Sequence, residues 1–369
     1  MSNPLKSRLS ELYNVRPQYS RFDQKNNVTR QVLWNPLMIA LAQQRAIQLR
    51  RLIKDQQPGY SLRDYAFNRG AQANLTTTHV RINHPISGGT SWQSLKSTHI
   101  NQCWQGSKTE AAATMIKAAQ LFGADHVGFC ELDRRWVYSR YYHEDHGTSY
   151  SIHFSDEPGY ENVTTPCQLA DGTQVILSSM TSVIVLLFEM DAEGISTAPT
   201  LTQMATTNVT YSHIVMTTTM LAEMIRGLGY HAIPSINDTA LSIPLAIDAG
   251  LGQLGRNGKL ITPDLGPRCR IAKVITDLPL PPGHPQDFGV TDYCQICTRC
   301  AEVCPAKAIP TGPPSYDPVN ECNAGSFLAW HVNHKLCYRY WAEVGTNCGL
   351  CIAHCPLDKH HIRQKPFWK

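Results

Sequence analysis

The sequence predicts an α+β fold, a long mixed body followed by a short cysteine-rich end, on three observations. Apolar segments of helical and of strand length interleave through about the first 285 residues, no internal repeat interrupts them, and within the last eighty or so positions eight cysteines fall into two arrays. At 369 residues the chain is long enough to bury one large core or two smaller ones.

Residues 1–105 mix polar turns with one expected helix, 37–54, whose basic stretch 45–54 reads as a solvated face. The alanine-rich run 108–122 carries apolar residues at helical spacing, and after Gly123 the run 126–132 predicts a strand. Residues 182–190, rich in Val and Ile, predict another. Its apolar centre, 183–188, is far shorter than the roughly eighteen residues of a membrane span, so it reads as buried. A helix is expected from about 212 to 226, stopped by Gly227, then a strand over 230–233, a helix over 242–250 and a strand over 270–278. The proline-rich link 278–285 leads into the cysteines.

Those cysteines form two arrays, Cys294-x2-Cys297-x2-Cys300-x3-Cys304-Pro305, then Cys337 with Cys348-x2-Cys351-x3-Cys355-Pro356. Two-residue gaps let a backbone wrap the corners of an iron–sulfur cube. The first array matches the bacterial ferredoxin spacing, in which the fourth cysteine of one run ligates the cluster held by the other. On that logic Cys294, Cys297, Cys300 and Cys355 hold one [4Fe-4S] cluster, and Cys304, Cys337, Cys348 and Cys351 hold a second. Structural zinc also uses Cys-x2-Cys pairs, but a third cysteine two residues further on is not its habit. Disulfides between such close cysteines would close rings too small to add much. Cys103, Cys130, Cys167, Cys269 and Cys322 lie singly and read as small buried hydrophobes. Some 290 residues precede the arrays, more than an electron shuttle needs, so the body is expected to house the clusters' redox partner or a substrate site.

A net charge of +4, with fifteen histidines uncounted, implies no strong field for nucleic acid. The start, Met1-Ser2-Asn3-Pro4-Leu5-Lys6, has neither an apolar signal core nor a twin-arginine leader. The expectation is a cytoplasmic protein as written, or an exported, membrane-associated mature form whose leader has been removed. Gly250-Leu251-Gly252-Gln253-Leu254-Gly255 fits G-x-G-x-x-G by letter but follows an expected helix rather than a strand, and G-x4-G-K-[ST] does not occur. A nucleotide fold is not favoured, which leaves this loop free to cradle another cofactor.

Longer phrases are more specific. They are Arg21-Phe22-Asp23-Gln24-Lys25-Asn26, Glu131-Leu132-Asp133-Arg134-Arg135-Trp136-Val137-Tyr138-Ser139, Gly227-Leu228-Gly229-Tyr230-His231-Ala232-Ile233-Pro234-Ser235, Ala249-Gly250-Leu251-Gly252-Gln253, Ile261-Thr262-Pro263-Asp264-Leu265-Gly266-Pro267 and Phe288-Gly289-Val290. In these, from about residue 21 to 356, the chain resembles the corrinoid- and iron-sulfur-dependent reductive dehalogenases of the respiratory type. The resemblance implies a nitroreductase-like body around a cobalamin, fed with electrons by a bacterial-ferredoxin-like two-cluster module. It divides the chain into residues 1–105 packing on the body, 106–285 as the cobalamin and substrate body, and 286–369 as the cluster module.

The same resemblance assigns roles. Tyr211, in Ala205-Thr206-Thr207-Asn208-Val209-Thr210-Tyr211-Ser212, occupies the place of a proton donor, Asn237 that of a pocket asparagine, and Arg270 that of the basic residue beside the tyrosine. Trp341 matches a wall aromatic. Asn347 stands where some relatives place an aromatic, which implies a wider or more polar wall. Thr206, Gly252, Asn257, Thr262 and Pro263 are the implied cobalamin contacts. A phenol, with a pKa of about 10, is a poor acid at neutral pH, and a nearby guanidinium stabilises phenolate and eases proton release. The structural alternative is a core tyrosine with a satisfied hydroxyl. No D-x-H-x-x-G marker of a histidine ligand to cobalt occurs, since Glu144-Asp145-His146-Gly147 does not fit, and His146 is expected at the surface. Because Trp341 lies inside the ligand span of the second cluster, that cluster is expected nearer the cobalt, and the first is expected to face the donor.

The function so implied is reductive dehalogenation of a small organohalide, with a low-potential electron donor, a possible small membrane anchor protein and no nucleic acid. One alternative is an epoxyqueuosine reductase-like enzyme. It predicts a basic surface, usually helical repeats after the clusters, and an aspartate where Tyr211 stands. The other is a non-catalytic iron-sulfur electron carrier, which would show redox spectra but release no halide.

Overall fold

The computed structural model describes residues 9–83, 92, 103–144 and 146–358. Met1 to Lys6 and Asp145 therefore lie outside the described residues. Ten strands are present among them: β1 His126–Glu131, β2 Arg140–His143, β3 Thr148–Phe154, β4 Cys167–Gln168, β5 Gln174–Ile176, β6 Ser182–Glu189, β7 Ala232–Ser235, β8 Gln253–Leu254, β9 Leu260–Ile261 and β10 Cys269–Thr276.

The central sheet runs β1-β6-β10-β7, antiparallel throughout, with Val185 of β6 and Ser235 of β7 both opposite Lys273 of β10. Side chains alternate across a strand, and β6 shows why its sequence is apolar without interruption. Val183, Val185 and Leu187 enter the core on one face, Ile184, Leu186 and Phe188 the core on the other. A sheet buried on both faces cannot alternate apolar with polar. The second face is covered by helix Lys108–Leu121, started by a Ser107–Glu110 capping box, and by the long helix Leu201–Gly227. A second sheet, β2-β3-β5-β4, and the ribbon β8-β9 complete the strands.

The sequence placed the strands over 126–132, 182–190 and 270–278 within two residues of where they lie, and helix 37–54 is observed as Pro36–Lys54. The strand expected over 230–233 is shifted to Ala232–Ser235. The largest correction concerns the helix expected from 212, which begins at Leu201. Its first turns are rich in threonine and poor in helix propensity. The Thr206 and Thr210 hydroxyls donate to the carbonyls four residues back at 2.9 and 3.0 Å, and Thr200 caps the start by accepting from the Gln203 amide. Helix Leu62–Asn83 then buries this polar half: Thr202 donates to Asp64, Asn208 to Asn68, and Ser212 to the Ala71 carbonyl. The hairpin β2-β3 and strands β4 and β5 had no counterpart in the sequence reading.

Two smaller corrections follow from burial. Arg50, Arg51 and Lys54 are solvated as expected, but Arg45 turns inward, its guanidinium 5.3 Å from the Trp341 ring centroid. Cys130 and Cys269 are buried as expected, Cys167 and Cys322 only half-buried, and Cys103 is exposed. His146 is exposed, stacked on His143. No helix among the described residues is long and apolar enough to cross a membrane.

The chain's first described segment packs over the body and reaches the cysteine end. Leu254 donates its amide to Tyr13 Oη, whose phenol burial pushes up to about 12, and Arg16 stacks on Tyr316. The guanidinium of Arg21 donates to the carbonyls of Val137, Tyr138 and Ile152, which explains the arginine of the Arg21 phrase as a structural clamp.

Candidate active site

Helix Leu201–Gly227, strand β10 and the loop after β7 each deliver one side chain to a cavity of about 390 Å³: Tyr211, Arg270 and Asn237. Asn237 Nδ2 donates to Tyr211 Oη at 3.2 Å, and the Arg270 guanidinium lies 5.6 Å from the Tyr211 ring centroid, within cation–π range. The structure thus brings together the three residues assigned catalytic roles. Lys259 and His334 line the same cavity. Burial, then the charges of Lys259 and His331, lowers the His334 imidazole to about 4, so it is neutral near pH 7.

The loop carrying Asn237 is held from several sides. Lys273, wholly buried on β10, donates from Nζ to the Ile236 carbonyl at 2.7 Å and to Ser242 Oγ at 2.9 Å. The Asp238 carboxylate accepts from the Ile236 amide, Ser235 Oγ donates to the Asp238 carbonyl, and Gln24 Nε2 donates to the Asn237 carbonyl. Thr239 has φ +63°, a region that β-branched residues rarely occupy, and these bonds over-determine it. Burial lowers the Lys273 ammonium to about 8, opposed by the Asp238 charge. Sequence reasoning missed Lys273. Its signal was a lone lysine inside the apolar strand run, since a lysine is rarely buried without a task.

The remaining assigned residues lie apart from that cavity lining. Trp341, on helix His334–Val344, packs against Tyr338 with Arg45 over its ring. Asn347 sits just before Cys348 with its Oδ1 buried. Thr206 is buried with its hydroxyl committed to its own helix. Gly252, Asn257, Thr262 and Pro263 belong to the loop and ribbon that also supply Gly258, Lys259 and Leu260 to the cavity wall. Gly252 is required by close approach, since a Cβ there would lie 2.6 Å from the Ile261 carbonyl oxygen. Asn257 donates to the Cys351 carbonyl and accepts from the Lys259 amide, joining this loop to the cysteine end. Thr262 closes the turn to Gly266, accepting from the Leu265 amide.

All thirteen cysteines are free thiols, and among the described residues no three Cys, His, Asp or Glu side chains converge to hold a single metal ion. The thiols nonetheless act on each other in groups. Burial pushes Cys355 up to about 12, with Cys294 and Cys297 adding to the push. It pushes Cys348 up to about 12 and Cys337 up to about 11, with Cys351 and Cys304 adding. Burial also pushes Cys300 up to about 12, with Cys351 adding most among the thiols, then Cys294, Cys355 and Cys297, so Cys300 and Cys351 lie where the two groups meet. Gly349, between Cys348 and Cys351, meets the long helix: a Cβ there would lie 2.8 Å from Gln203 Cδ.

Two arginines that the sequence reading passed over tie the cysteine end to the body. Arg268, 1% exposed, donates from Nε to Asp358 at 2.6 Å and from Nη1 to Glu189 at 2.8 Å. Arg256, also 1% exposed, donates to the carbonyls of Cys294, Gln295, Cys297, Pro310 and Gly312 and stacks 4.7 Å from the Trp330 ring centroid. The glycines around Arg256 drew attention in the sequence, but nothing local reveals that its partners lie thirty-eight to fifty-six residues away.

Comparison with known proteins adds a lineage to this geometry. Residues 40–280 match the family model described as reductive dehalogenase subunit. The chain is 40% identical over 249 residues to the tetrachloroethene reductive dehalogenase of Sulfurospirillum multivorans, covering 66% of this chain and 50% of that protein. It is 35% identical over 323 residues to that of Desulfitobacterium hafniense, covering 76% and 55%. A solved reductive dehalogenase, described as suggesting a mechanism for B12-dependent dehalogenation, superposes with a TM-score of 0.64 at 20% identity over 94% of this chain and 43% of that one. The chain spans about half the length of the curated relatives it matches. The mixed helix and sheet fold is that of reductive dehalogenase structures.

Proposed function

We propose, from the premise that this chain belongs to the reductive dehalogenase family, that it replaces a carbon-bound halogen of a small organohalide by hydrogen. A carbon–halogen bond, two electrons and one proton give a carbon–hydrogen bond and a halide ion. The observation that carries the reading is the meeting of Tyr211, Asn237 and Arg270 on one cavity, with the phenol held by the asparagine amide.

The residues present fit the groups this reaction needs. Burial raises the thiols of Cys294, Cys300, Cys337, Cys348, Cys351 and Cys355, which makes them poor nucleophiles near neutral pH but leaves them suited to iron, whose charge displaces their protons. Arg270 Nε, Gln203 Oε1 and Asn347 Oδ1 are buried without a hydrogen-bond partner among the described residues, as polar atoms reserved for a bound group would be. In this reading residues 106–285 form a nitroreductase-like body for a corrinoid. Gly252, Asn257, Thr262 and Pro263 are the proposed contacts, with Thr206 five residues before Tyr211 on the same helix. Residues 286–369 form a ferredoxin-like module for two four-iron clusters, held by Cys294, Cys297, Cys300 and Cys355 and by Cys304, Cys337, Cys348 and Cys351, and residues 1–105 pack on the body. When bound, the corrinoid supplies low-valent cobalt to break the carbon–halogen bond, and the clusters supply electrons one at a time.

The protein's own part is positioning and proton supply. Tyr211 holds the proton at Oη. Asn237 fixes the direction of that hydroxyl, and Lys273 and Gln24 fix Asn237 through the backbone on either side of it. The Arg270 charge stabilises the negative charge left on the phenol. The apolar remainder of the lining, including Phe22, Trp136 and Tyr138, excludes water from the reacting carbon. Ile296, beside Cys297, is exposed, which supports entry of electrons from a low-potential donor at the first cluster.

The test is anaerobic reconstitution with iron, sulfide and cobalamin, followed by a low-potential reductant and a panel of chlorinated, brominated and fluorinated compounds. Halide release that requires cobalamin is expected. Failure of the reconstituted protein to bind cobalamin overturns the reading.

A further inference from the structure

Buried charges normally have partners of opposite sign, because an isolated ion loses several kcal/mol of hydration that the interior does not return. Arg268 obeys this rule through Glu189 and Asp358, and Arg226 through Glu223. Arg256 does not: all six of its hydrogen bonds go to neutral carbonyls, and no carboxylate pairs with it among the described residues. Three of those carbonyls belong to the segment Cys294, Gln295 and Cys297. Trp330, on whose ring it stacks, shares one apolar cluster with Cys294 and Cys355. The fixed positive charge therefore lies against the backbone that carries Cys294 and Cys297.

We propose that Arg256 is a positioning residue with two effects on the cluster of Cys294, Cys297, Cys300 and Cys355. Its fork of donors shapes the backbone that presents the thiols, and its charge stabilises the reduced, more anionic form of that cluster. The proposal rests on the cluster reading given above and adds the residue that sets its reduction equilibrium. An electron added to an iron–sulfur centre deepens its negative charge, so a nearby buried cation favours reduction, and burial keeps salt from screening it. A guanidinium suits both effects, since it keeps its charge at every working pH and its planar fork loses little freedom on binding several acceptors.

The experiment uses the full chain reconstituted with iron and sulfide, without substrate. Iron content is measured first, then each cluster is titrated with mediators and read by electron paramagnetic resonance. In Arg256→Gln, which keeps a hydrogen-bond donor but no charge, one of the two clusters should become harder to reduce by at least tenfold in its equilibrium constant. That is about 59 mV for one electron, and the other cluster should stay where it was. In Arg256→Lys, which keeps the charge but loses the fork, the midpoint should remain within tenfold of wild type. Two unchanged midpoints in an iron-replete Arg256→Gln protein overturn the proposal. So does an equal fall in both variants, which would mean geometry alone matters. Should Arg256→Gln fail to take up iron, Arg256→Lys decides: an iron-replete protein with a near-wild-type midpoint supports the proposal, and a tenfold or larger fall overturns it. A wild-type protein that takes up no clusters overturns the cluster reading itself, and this proposal with it.

Discussion

On the strand side of the cavity Arg268 is buried between Glu189 and Asp358, and Lys273 lies beneath a loop whose Asp238 carboxylate opposes its loss of charge. On the cysteine side Arg256 is equally buried yet meets only carbonyls and an indole ring. Among the described residues Arg268 and Lys273 have their charges answered within the polypeptide, so these two serve shape: they hold β10, the Asn237 loop and the chain after Cys355 in register. The cysteine side carries a charge that the polypeptide does not neutralise, so its effect should be felt by whatever the thiols bind. Deletions on the strand side should therefore appear in proton delivery and stability, with iron binding untouched.

The sharpest test of that separation is Tyr211→Phe. Loss of a positioned general acid costs about 10²- to 10⁴-fold in rate, so halide release should fall by that much while iron and cobalamin content stay at wild-type levels. Comparable loss of iron would break the comparison. Next is Arg268→Met, which removes the guanidinium holding Glu189 and Asp358. Breaking a buried pair from one side costs about 3–5 kcal/mol, readable as a lower denaturant midpoint.

Lys273→Met should be smaller and visible through pH. The folded value of about 8 lies below the ordinary lysine value of about 10.4, so between them the unfolded chain binds more protons and stability rises with pH. Below about pH 8 the cost of burying the charge is fully present. Wild type should gain stability from pH 8 to 10 at up to about 1.4 kcal/mol per unit relative to Lys273→Met, measured as the difference between their urea unfolding free energies. A parallel pair of curves would show that Lys273 keeps its ordinary value, and so its charge, in the folded protein. Smallest is Asn237→Ala, which removes one neutral hydrogen bond to Tyr211. It should slow halide release roughly 2- to 10-fold, the value of about 0.5–1.5 kcal/mol, without shifting either cluster's midpoint.

The parts legible in the sequence were those whose cause is local. Strand β6 announces itself because both its faces are buried, and helix Lys108–Leu121 because its cap and its alanines are contiguous. The start of helix Leu201–Gly227 was hidden because Thr202, Thr206 and Thr210 have poor local propensity, and their hydroxyl bonds and burial by helix Leu62–Asn83 exist only after folding. Tyr211, Asn237 and Arg270 were found through resemblance, since nothing in the spacing of three residues on a helix, a loop and a strand says that they meet. The partners of Lys273 and Arg256 were hidden for a related reason. They are mostly carbonyls, which every residue carries, so no side-chain pattern marks Ile236 or Gly312 as the acceptor.

The long helix links the two sides, since Gln203 packs on Gly349 between two cysteines and Tyr211 reaches the cavity. Eight residues of helix separate them, about 12 Å at 1.5 Å per residue. The helix thereby acts as a gauge: inserting or deleting a single residue between positions 203 and 211 would swing the phenol about 100° around the axis. It would leave both ends folded but face the hydroxyl away from the cavity. The length of that interval is therefore fixed by the two contacts at its ends.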